Sequence, residues 1–504
     1  LNYSLIPDTE FNKKNEDKIQ QKVFEKTRDL SQKEKEDIVR LANELETRQN
    51  AQDDPEILPK VTKDDIPLSR NYASPVITET NTNSNYFYKT GTNGIVYHSM
   101  LFPCDALNQD ELSVANLFTN TLTDIGLGKD SYEDIQKYQS SITGGISASF
   151  VTLPNDEGDS YKLALKISSK SLEKNDLLMQ DLMLKTVSES NFNESKRIKE
   201  LLEFISADNE KSVIQNGHIL SMSNAASQIT DIAATNDLTS GLRFIHNTNK
   251  LSKLVSDKNE FDIYLNSLHS IKNKLSKTPN YLFTASSLHQ SDLKLNTIFN
   301  SETFDLNNQD FVDVQNNSVG WVTGSQVCFC AEAFPSVDSK HEDAPALTVL
   351  GTVLRNGYLH SAIREKGGAY GSGATQDSNN KVFKFFSYRD PKCTETFEEF
   401  KNSRAWSLKN ISNDQLEEGV LGVISSIDKP LSPYGEAMSD FMSELDNKTQ
   451  EERLLFRSRV KECTLEDLVK VSEKYLFNDS KKSVIAGENF TEELSKLNFD
   501  IKNI

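Results

Sequence analysis

One order of predicted secondary-structure elements occurs twice along the chain, and this repeat constrains the fold more than any other feature. In the first copy, an apolar strand ending at Phe102-Pro103 precedes helices, the double glycine Gly144-Gly145, two strands, a helical tract and a strand at 281–286. In the second copy, an apolar strand at 326–335 also ends in Phe-Pro and leads through the same order to a strand at 482–487. A repeat of roughly two hundred residues indicates an internal duplication. We therefore predict an α+β fold of two related domains.

A highly charged stretch precedes the first domain. Its sparse apolar residues predict two helices joined near Leu30-Ser31, where Ser31 and Glu34 form a capping box that starts the second helix. Before it, the short apolar run at 3–7 is typical of the last strand of a preceding domain. The predicted parts are a terminal strand of a missing domain at 1–8, a helical-hairpin linker at 9–68, one α+β domain at 69–305 and a second at 306–504.

The charge balance argues about partners. Acidic residues outnumber basic ones by 75 to 56, which gives a formal net charge of −19. Because no basic stripe offsets this charge, we expect no nucleic-acid partner, whereas cationic peptides are compatible with it, as is a role in solubility alone. No apolar run reaches the length of a membrane span, so we expect no membrane partner.

The cysteines indicate the redox environment. The chain has five of them, an odd number with no CxxC pair, which favours a reducing intracellular compartment such as an organelle or the bacterial cytoplasm over a disulfide framework. Cys328 and Cys330 lie two residues apart on a predicted strand and share one face. We interpret this pair as buried core thiols rather than as metal ligands.

The stretch 347–388 is the most informative about function. Helical spacing of leucines predicts a helix that is broken at Gly357 and stopped by Gly367-Gly368. The runs that follow predict a β-hairpin. Arg364 at the end of the helix and Tyr370 on the adjoining strand therefore face one cleft, where a cation and a phenol can hold a carbonyl oxygen between them. Taken alone, the pattern fits a solvated helix-end charge and a packing tyrosine equally well.

Several segments resemble a known family. GYLHSAIREKGGAYGSGA at 357–374 and FFSYRDP at 385–391 resemble the last domain of the presequence protease and falcilysin group, a branch of the pitrilysin/insulinase superfamily of zinc metallopeptidases. Shorter segments, LIPDTEF at 5–11, TNGIVY at 92–97 and TGGISAS at 143–149, support it. The resemblance implies the C-terminal half of such an enzyme. This half would hold the third and fourth α/β sandwich domains, with mainly antiparallel sheets, behind a helical hinge.

The resemblance also implies roles for particular residues. Arg364 and Tyr370 would be catalytic, reaching across a closed chamber to bind substrate near the scissile bond. The glycines around them, and a histidine one helical turn before the arginine, would line the substrate: Gly367, Gly368, Gly371 and His360. A turn with a strand bulge accounts equally well for the glycines, and solvent exposure or a helix-end contact accounts for the histidine.

The chain lacks the zinc-binding motif of the family, His-x-x-Glu-His, in which two histidines four residues apart bind the metal. Its seven histidines include no pair with that spacing. We therefore expect no metal site in this chain, zinc bound by the absent N-terminal half, and no peptidase activity without that half. The expected substrates are unstructured peptides such as cleaved targeting peptides. The alternatives are a non-catalytic scaffold or partner subunit of the superfamily, or a free-standing peptide-binding domain pair.

Overall fold

The structure is a computed structural model that describes residues 8, 10–51, 59–79, 83–154, 160–293, 308–314 and 317–504. It divides into two units, residues 1–61 and 62–504. In the first unit, helices α1 (Phe11–Arg28) and α2 (Gln32–Asn50) adjoin at the predicted position. The capping box is confirmed, because the Ser31 amide donates to Glu34 Oε2 at 2.8 Å and the Glu34 amide to Ser31 Oγ at 3.3 Å. The strand predicted at 3–7 lies outside the described residues.

The second unit begins with a seven-stranded sheet in the order β1-β2-β6-β3-β5-β4, with β7 paired to β5. Its strands are β1 (Val76–Glu79), β2 (Ser84–Lys89), β3 (Ile95–Cys104), β4 (Ile146–Pro154), β5 (Ser160–Leu172), β6 (Tyr281–Ser286) and β7 (Asn308–Asp310). The helices between them are α3 (Gln109–Leu122), α4 (Tyr132–Ile142), α5 (Asp176–Ser188), α6 (Ser195–Gln215), α7 (Gly217–Ala226), α8 (Asp231–Ser240), α9 (Leu242–Leu254) and α10 (Lys258–Lys274).

A six-stranded sheet follows, in the order β10-β11-β9-β12-β8-β13. Its strands are β8 (Val319–Thr323), β9 (Phe329–Pro335), β10 (Gly371–Asp377), β11 (Val382–Tyr388), β12 (Lys481–Gly487) and β13 (Asp500–Asn503). Its helices are α11 (Ala344–Leu354), a π-helix (Arg355–Glu365), α12 (Thr394–Ser407), α13 (Asn413–Ile427), α14 (Pro433–Leu445), α15 (Gln450–Lys461), α16 (Leu465–Tyr475) and α17 (Thr491–Lys496). Of the helices in the described ranges, none has both the length and the apolar character that crossing a bilayer requires.

The two sheets repeat one strand order. The path β2-β6-β3-β5-β4 in the first sheet corresponds to β8-β12-β9-β11-β10 in the second, and in both sheets the first pair is parallel and the other pairs are antiparallel. The predicted α+β fold of two related domains is thus confirmed. Because β7 pairs with β5, the chain leaves the first sheet only after Asp310, a few residues beyond the predicted boundary at 305.

Each sheet is partly covered by a helix from the other half of the chain. Helix α7 packs on the second sheet, where Ser221 Oγ donates to the Phe329 carbonyl at 3.0 Å. A side chain at Gly217 would come within 2.6 Å of the Phe329 ring, so glycine permits the close approach. In return, α14 packs on the first sheet, where the Phe441 ring lies 5.2 Å from the Phe283 ring. The two domains therefore share a hydrophobic interior.

This shared packing leads to a prediction about stability. Replacing fully buried Phe441 with alanine leaves a cavity between α14 and the first sheet, and we expect a loss of about 3–5 kcal/mol in the free energy of unfolding. Urea denaturation measures the loss. The matched control is Phe204→Ala on α6, because the Phe204 side chain is 71% exposed and its removal should change stability by no more than about 0.5 kcal/mol. Equal losses in the two variants would contradict the proposed packing.

Candidate functional site

The helix that carries Arg364 changes type along its length. Helix α11 continues directly into the π-helix, in which the Lys366 amide donates to the Ser361 carbonyl five residues back, at 3.0 Å. The predicted break at Gly357 is therefore wrong. A Cβ at Gly357 would lie 2.7 Å from the Trp406 ring, so this glycine serves close packing instead of ending the helix. Long π-helical segments are rare, and short π-bulges inside helices are frequent at functional sites.

The twin glycine ends this helix, as predicted. The Gly368 amide donates to the Arg364 carbonyl at 3.1 Å, and the Ala369 amide to the Ile363 carbonyl at 3.1 Å. Gly368 has a φ of +87°, a conformation that costs glycine little and other residues more. The chain thus folds back onto the last turn of the helix. As a result, Tyr370 leaves the backbone close to where Arg364 leaves it, just before β10.

The Arg364 side chain is exposed and has few internal partners. Its Nη1 lies 3.4 Å from Nε2 of His360, which is also exposed, and Nδ1 of His360 lies 3.6 Å from a carboxylate oxygen of Glu365. Within the described ranges, no carboxylate comes within ion-pair distance of the Arg364 guanidinium. The guanidinium is therefore free to bind an oxygen of an external ligand.

Tyr370 stands on an aromatic base. Its side chain is 69% exposed, its amide donates to the Tyr388 carbonyl at 3.0 Å, and its ring meets the Tyr388 ring edge-on at 5.9 Å. Behind it, the Tyr388 ring lies 4.6 Å from the ring of half-buried His218, and Arg389 lies over its face. The phenol of Tyr370 has no hydrogen-bond partner in the part of the chain that the structure describes. It is thus held at its base and presented outward.

Sequence reasoning missed two members of this arrangement. Tyr388 was part of the FFSYRDP segment, but nothing in that segment indicated that its ring supports Tyr370. His218 was considered only as a metal ligand, and its place beside Tyr388 depends on α7 packing across the domain boundary. Burial lowers the pKa of His218, which favours the neutral ring in this apolar contact.

The site is locally basic in an acidic chain. Arg355, Arg364, Lys366 and Arg389 are all exposed and lie on the π-helix, its final turn or the end of β11. Glu365 is the acidic residue among them. Such a surface suits a carbonyl oxygen, an oxyanion or a carboxylate.

The residues of this chain do not fit the zinc of the family. The buried His98 hydrogen-bonds Thr284 and Asp176, and the other histidines described above contact aromatic rings or Arg364 rather than a second histidine. Among the described residues, the one cluster of three possible metal ligands consists of cysteines. Hence no step of a zinc mechanism is assigned to this chain.

The glycines near Tyr370 differ in what they require. A Cβ at Gly367 would lie 2.4 Å from the Ile363 carbonyl oxygen, whereas at Gly371 it would make an ordinary 3.8 Å contact with Tyr388. We therefore expect Gly367→Ala to lower the free energy of unfolding by about 1–3 kcal/mol through crowding, and the control Gly371→Ala to cost less than about 1 kcal/mol. Chemical denaturation tests the difference, and equal costs would contradict the tight turn. A role for Gly367, Gly368 and Gly371 in passing peptide backbone stays a prediction.

Two family profiles match the chain. The profile for the region associated with subfamily C of peptidase M16 matches residues 5–251, and the profile described as "PreP C-terminal domain" matches residues 321–487. The first covers the helical unit and most of the first domain. The second covers the sheet, the π-helix and the twin-glycine turn of the second domain.

Curated relatives agree with the profiles. The mitochondrial presequence protease of Saccharomyces cerevisiae is 26% identical over 526 residues, which cover 100% of this chain and 52% of that protein. The protein of the same name from Eremothecium gossypii is 26% identical, with coverage of 98% and 51%, and that from Drosophila melanogaster is 27% identical, with coverage of 95% and 47%. The chain therefore spans about half the length of the curated relatives it matches.

Solved structures share the fold. A protease from Helicobacter pylori has a TM-score of 0.57 at 12% identity, covering 82% of this chain and 100% of that one. A peptidase M16 inactive domain from Pseudomonas fluorescens has a TM-score of 0.59 at 15% identity, covering 82% and 98%. At these identities the likeness supports the fold alone. Taken with the profiles and the relatives, it means that the chain belongs to subfamily C of the M16 peptidases, within the pitrilysin superfamily, and corresponds to the C-terminal half of a presequence protease.

Proposed function

We propose that the chain is the C-terminal half of a zinc-dependent oligopeptidase that encloses and degrades unstructured peptides, such as cleaved targeting peptides. Its partner is its own N-terminal half, which binds the zinc. This half supplies chamber wall and donors to the substrate carbonyl. An organellar location, as in the names of the mitochondrial relatives, belongs to the same proposal.

The observation that carries the proposal is the pair Arg364 and Tyr370. Both side chains are exposed at one tight turn, and the donor groups of both are left without strong internal partners. A solvated pair of this kind gains little for the fold, since an exposed tyrosine buries little surface and an unpaired arginine makes no ion pair. A guanidinium and a phenol are suited to stabilise the oxyanion that develops when a peptide carbonyl is attacked.

The proposal separates binding from hydrolysis. In this half, Arg364 and Tyr370 would orient the carbonyl and stabilise the charge that develops on its oxygen. His360, 3.4 Å from Arg364, and the glycines of the turn would contact the peptide beside that carbonyl. In the other half, zinc would activate the attacking water. Neither half is expected to cleave peptides by itself.

The test is reassembly. The chain is mixed with the N-terminal half of the same protein, and cleavage of a quenched fluorescent peptide is followed with and without a zinc chelator. We expect chelator-sensitive cleavage from the mixture and none from either half. Absence of cleavage from a mixture that forms a stable complex would favour the alternative, a non-catalytic scaffold or partner subunit, which agrees with the missing zinc ligands of this chain.

Substitutions in the reassembled enzyme test the two residues. Removing a preorganised donor to an oxyanion typically costs about 2.7–4 kcal/mol, so we expect Arg364→Ala and Tyr370→Phe each to lower kcat/KM by roughly 10²–10³-fold. Their melting temperatures should stay unchanged, because both side chains are exposed.

The matched control is Lys366→Ala, which removes an exposed cation two residues from Arg364 without a proposed role. It should keep kcat/KM within about twofold, since a surface charge alone contributes little. If both Arg364→Ala and Tyr370→Phe retain wild-type turnover, the proposed role of the pair is wrong.

A further inference from the structure

Three of the five cysteines meet in the interior of the second domain. Cys328 lies just before β9, Cys330 lies on β9, and Cys393 lies at the N-terminus of α12, and all three are fully buried. The Cys328 and Cys330 sulfurs are 3.7 Å apart, the Cys330 and Cys393 sulfurs are 3.8 Å apart, and all three sulfurs lie within 4.8 Å of one another. The interpretation of Cys328 and Cys330 as an isolated pair of core thiols missed this third member.

The backbone around the three thiols is held firmly. Cys328 and Asp390 exchange two backbone hydrogen bonds of 2.8 Å, which fix the segment after β11 against the start of β9. The Cys330 amide donates to Ser387 Oγ at 3.3 Å. The sulfurs therefore converge because of the fold, from three positions that the chain separates by up to 65 residues, and not through free side-chain rotation.

The spacing fits a metal ion. With metal–sulfur bonds of about 2.3 Å, three thiolates around one ion are about 3.8 Å apart in a tetrahedral site and about 4.0 Å apart in a trigonal one. The observed separations of 3.7 and 3.8 Å need only small adjustment to reach either value. Ordinary contact between thiols gives similar distances, so the number and type of ligands must decide which occupant the site would take.

No fourth ligand is available nearby in the described chain. The Asp390 carboxylate is the nearest acidic group, but one oxygen accepts from the Thr396 hydroxyl at 2.7 Å and the other from the Lys392 amide at 3.0 Å. Structural zinc sites are almost always closed by four ligands. Three soft sulfur ligands in a dry interior suit a soft monovalent ion instead, and thiolates select Cu(I).

We propose that Cys328, Cys330 and Cys393 form a buried three-sulfur site for Cu(I). Binding involves no change in the oxidation state of copper or sulfur, and each thiol that becomes a ligand releases its proton to solvent.

Electrostatics favours the first of these deprotonations. Hydrogen bonds from the Cys328 and Cys330 thiols lower the pKa of Cys393 to about 5. Its position at the N-terminus of the 14-residue helix α12 also favours a thiolate. Burial raises the pKa of Cys330, so its proton is displaced by the metal rather than lost beforehand.

The experiment uses the 504-residue chain, reduced and handled without oxygen. Cu(I) is supplied from a colorimetric Cu(I) chelator, and copper per chain is measured after desalting. We expect about one Cu(I) per chain, a higher melting temperature in its presence, and three sulfur neighbours in the X-ray absorption spectrum of the copper. Zn(II) is tested in parallel.

Variants locate the site. Cys330→Ala and Cys393→Ala should lose the bound copper and the rise in melting temperature. The matched controls are Cys104→Ala and Cys463→Ala, which remove buried cysteines outside the cluster and should keep both. Folding of each variant is checked by circular dichroism, and the wild-type stoichiometry and coordination number stand independently of any variant.

Three results would overturn the proposal. They are no copper uptake by the wild-type chain, equal loss of copper in the cluster and control variants, and preference for Zn(II) in a four-ligand site. The proposal does not depend on peptidase activity, so it can fail or hold separately from the proposed function.

Discussion

The structure depends on the reciprocal packing of α7 and α14, each on the sheet of the other domain. Both sheets present apolar faces that their own helices do not fully cover, and a fully buried phenylalanine such as Phe441 or Phe329 contributes about 1.5–3 kcal/mol relative to an exposed one. Glycine at 217 lets α7 approach the second sheet closely. Because that sheet carries β10 and β11, the contact between domains also sets where the Arg364 turn stands.

The turn itself combines tight backbone geometry with exposed side chains. The π-helix and the positive φ of Gly368 bring Arg364 and Tyr370 out at neighbouring points, and the Tyr388 ring beneath holds the second of them. His218 reaches this base from α7, so the first domain contributes to the site without contacting Tyr370 itself. The fold thus places two donors on a rigid base, which is the requirement for stabilising charge that develops during a reaction.

The cysteine cluster and the Arg364 turn share one segment. Residues 388–393 begin at Tyr388, which supports Tyr370, and end at Cys393, and the paired backbone of Cys328 and Asp390 holds them midway. An ion bound by the three thiols would hold this segment more firmly and leave the exposed side chains free. Stability in this part of the molecule is therefore separate from the chemistry proposed at its surface.

The sequence by itself determined the repeated order of elements, the capping box at Ser31, the twin-glycine stop, the hairpin and the family. These are encoded by residues close along the chain or by recognisable motifs. Only the tertiary structure decided that β2 and β8 pair in parallel with distant strands, that the helix widens at 355 instead of breaking, that His218 reaches Tyr388, and that Cys393 joins Cys328 and Cys330. The physical reason is that these contacts join residues tens to hundreds of positions apart, so no local periodicity or spacing carries them.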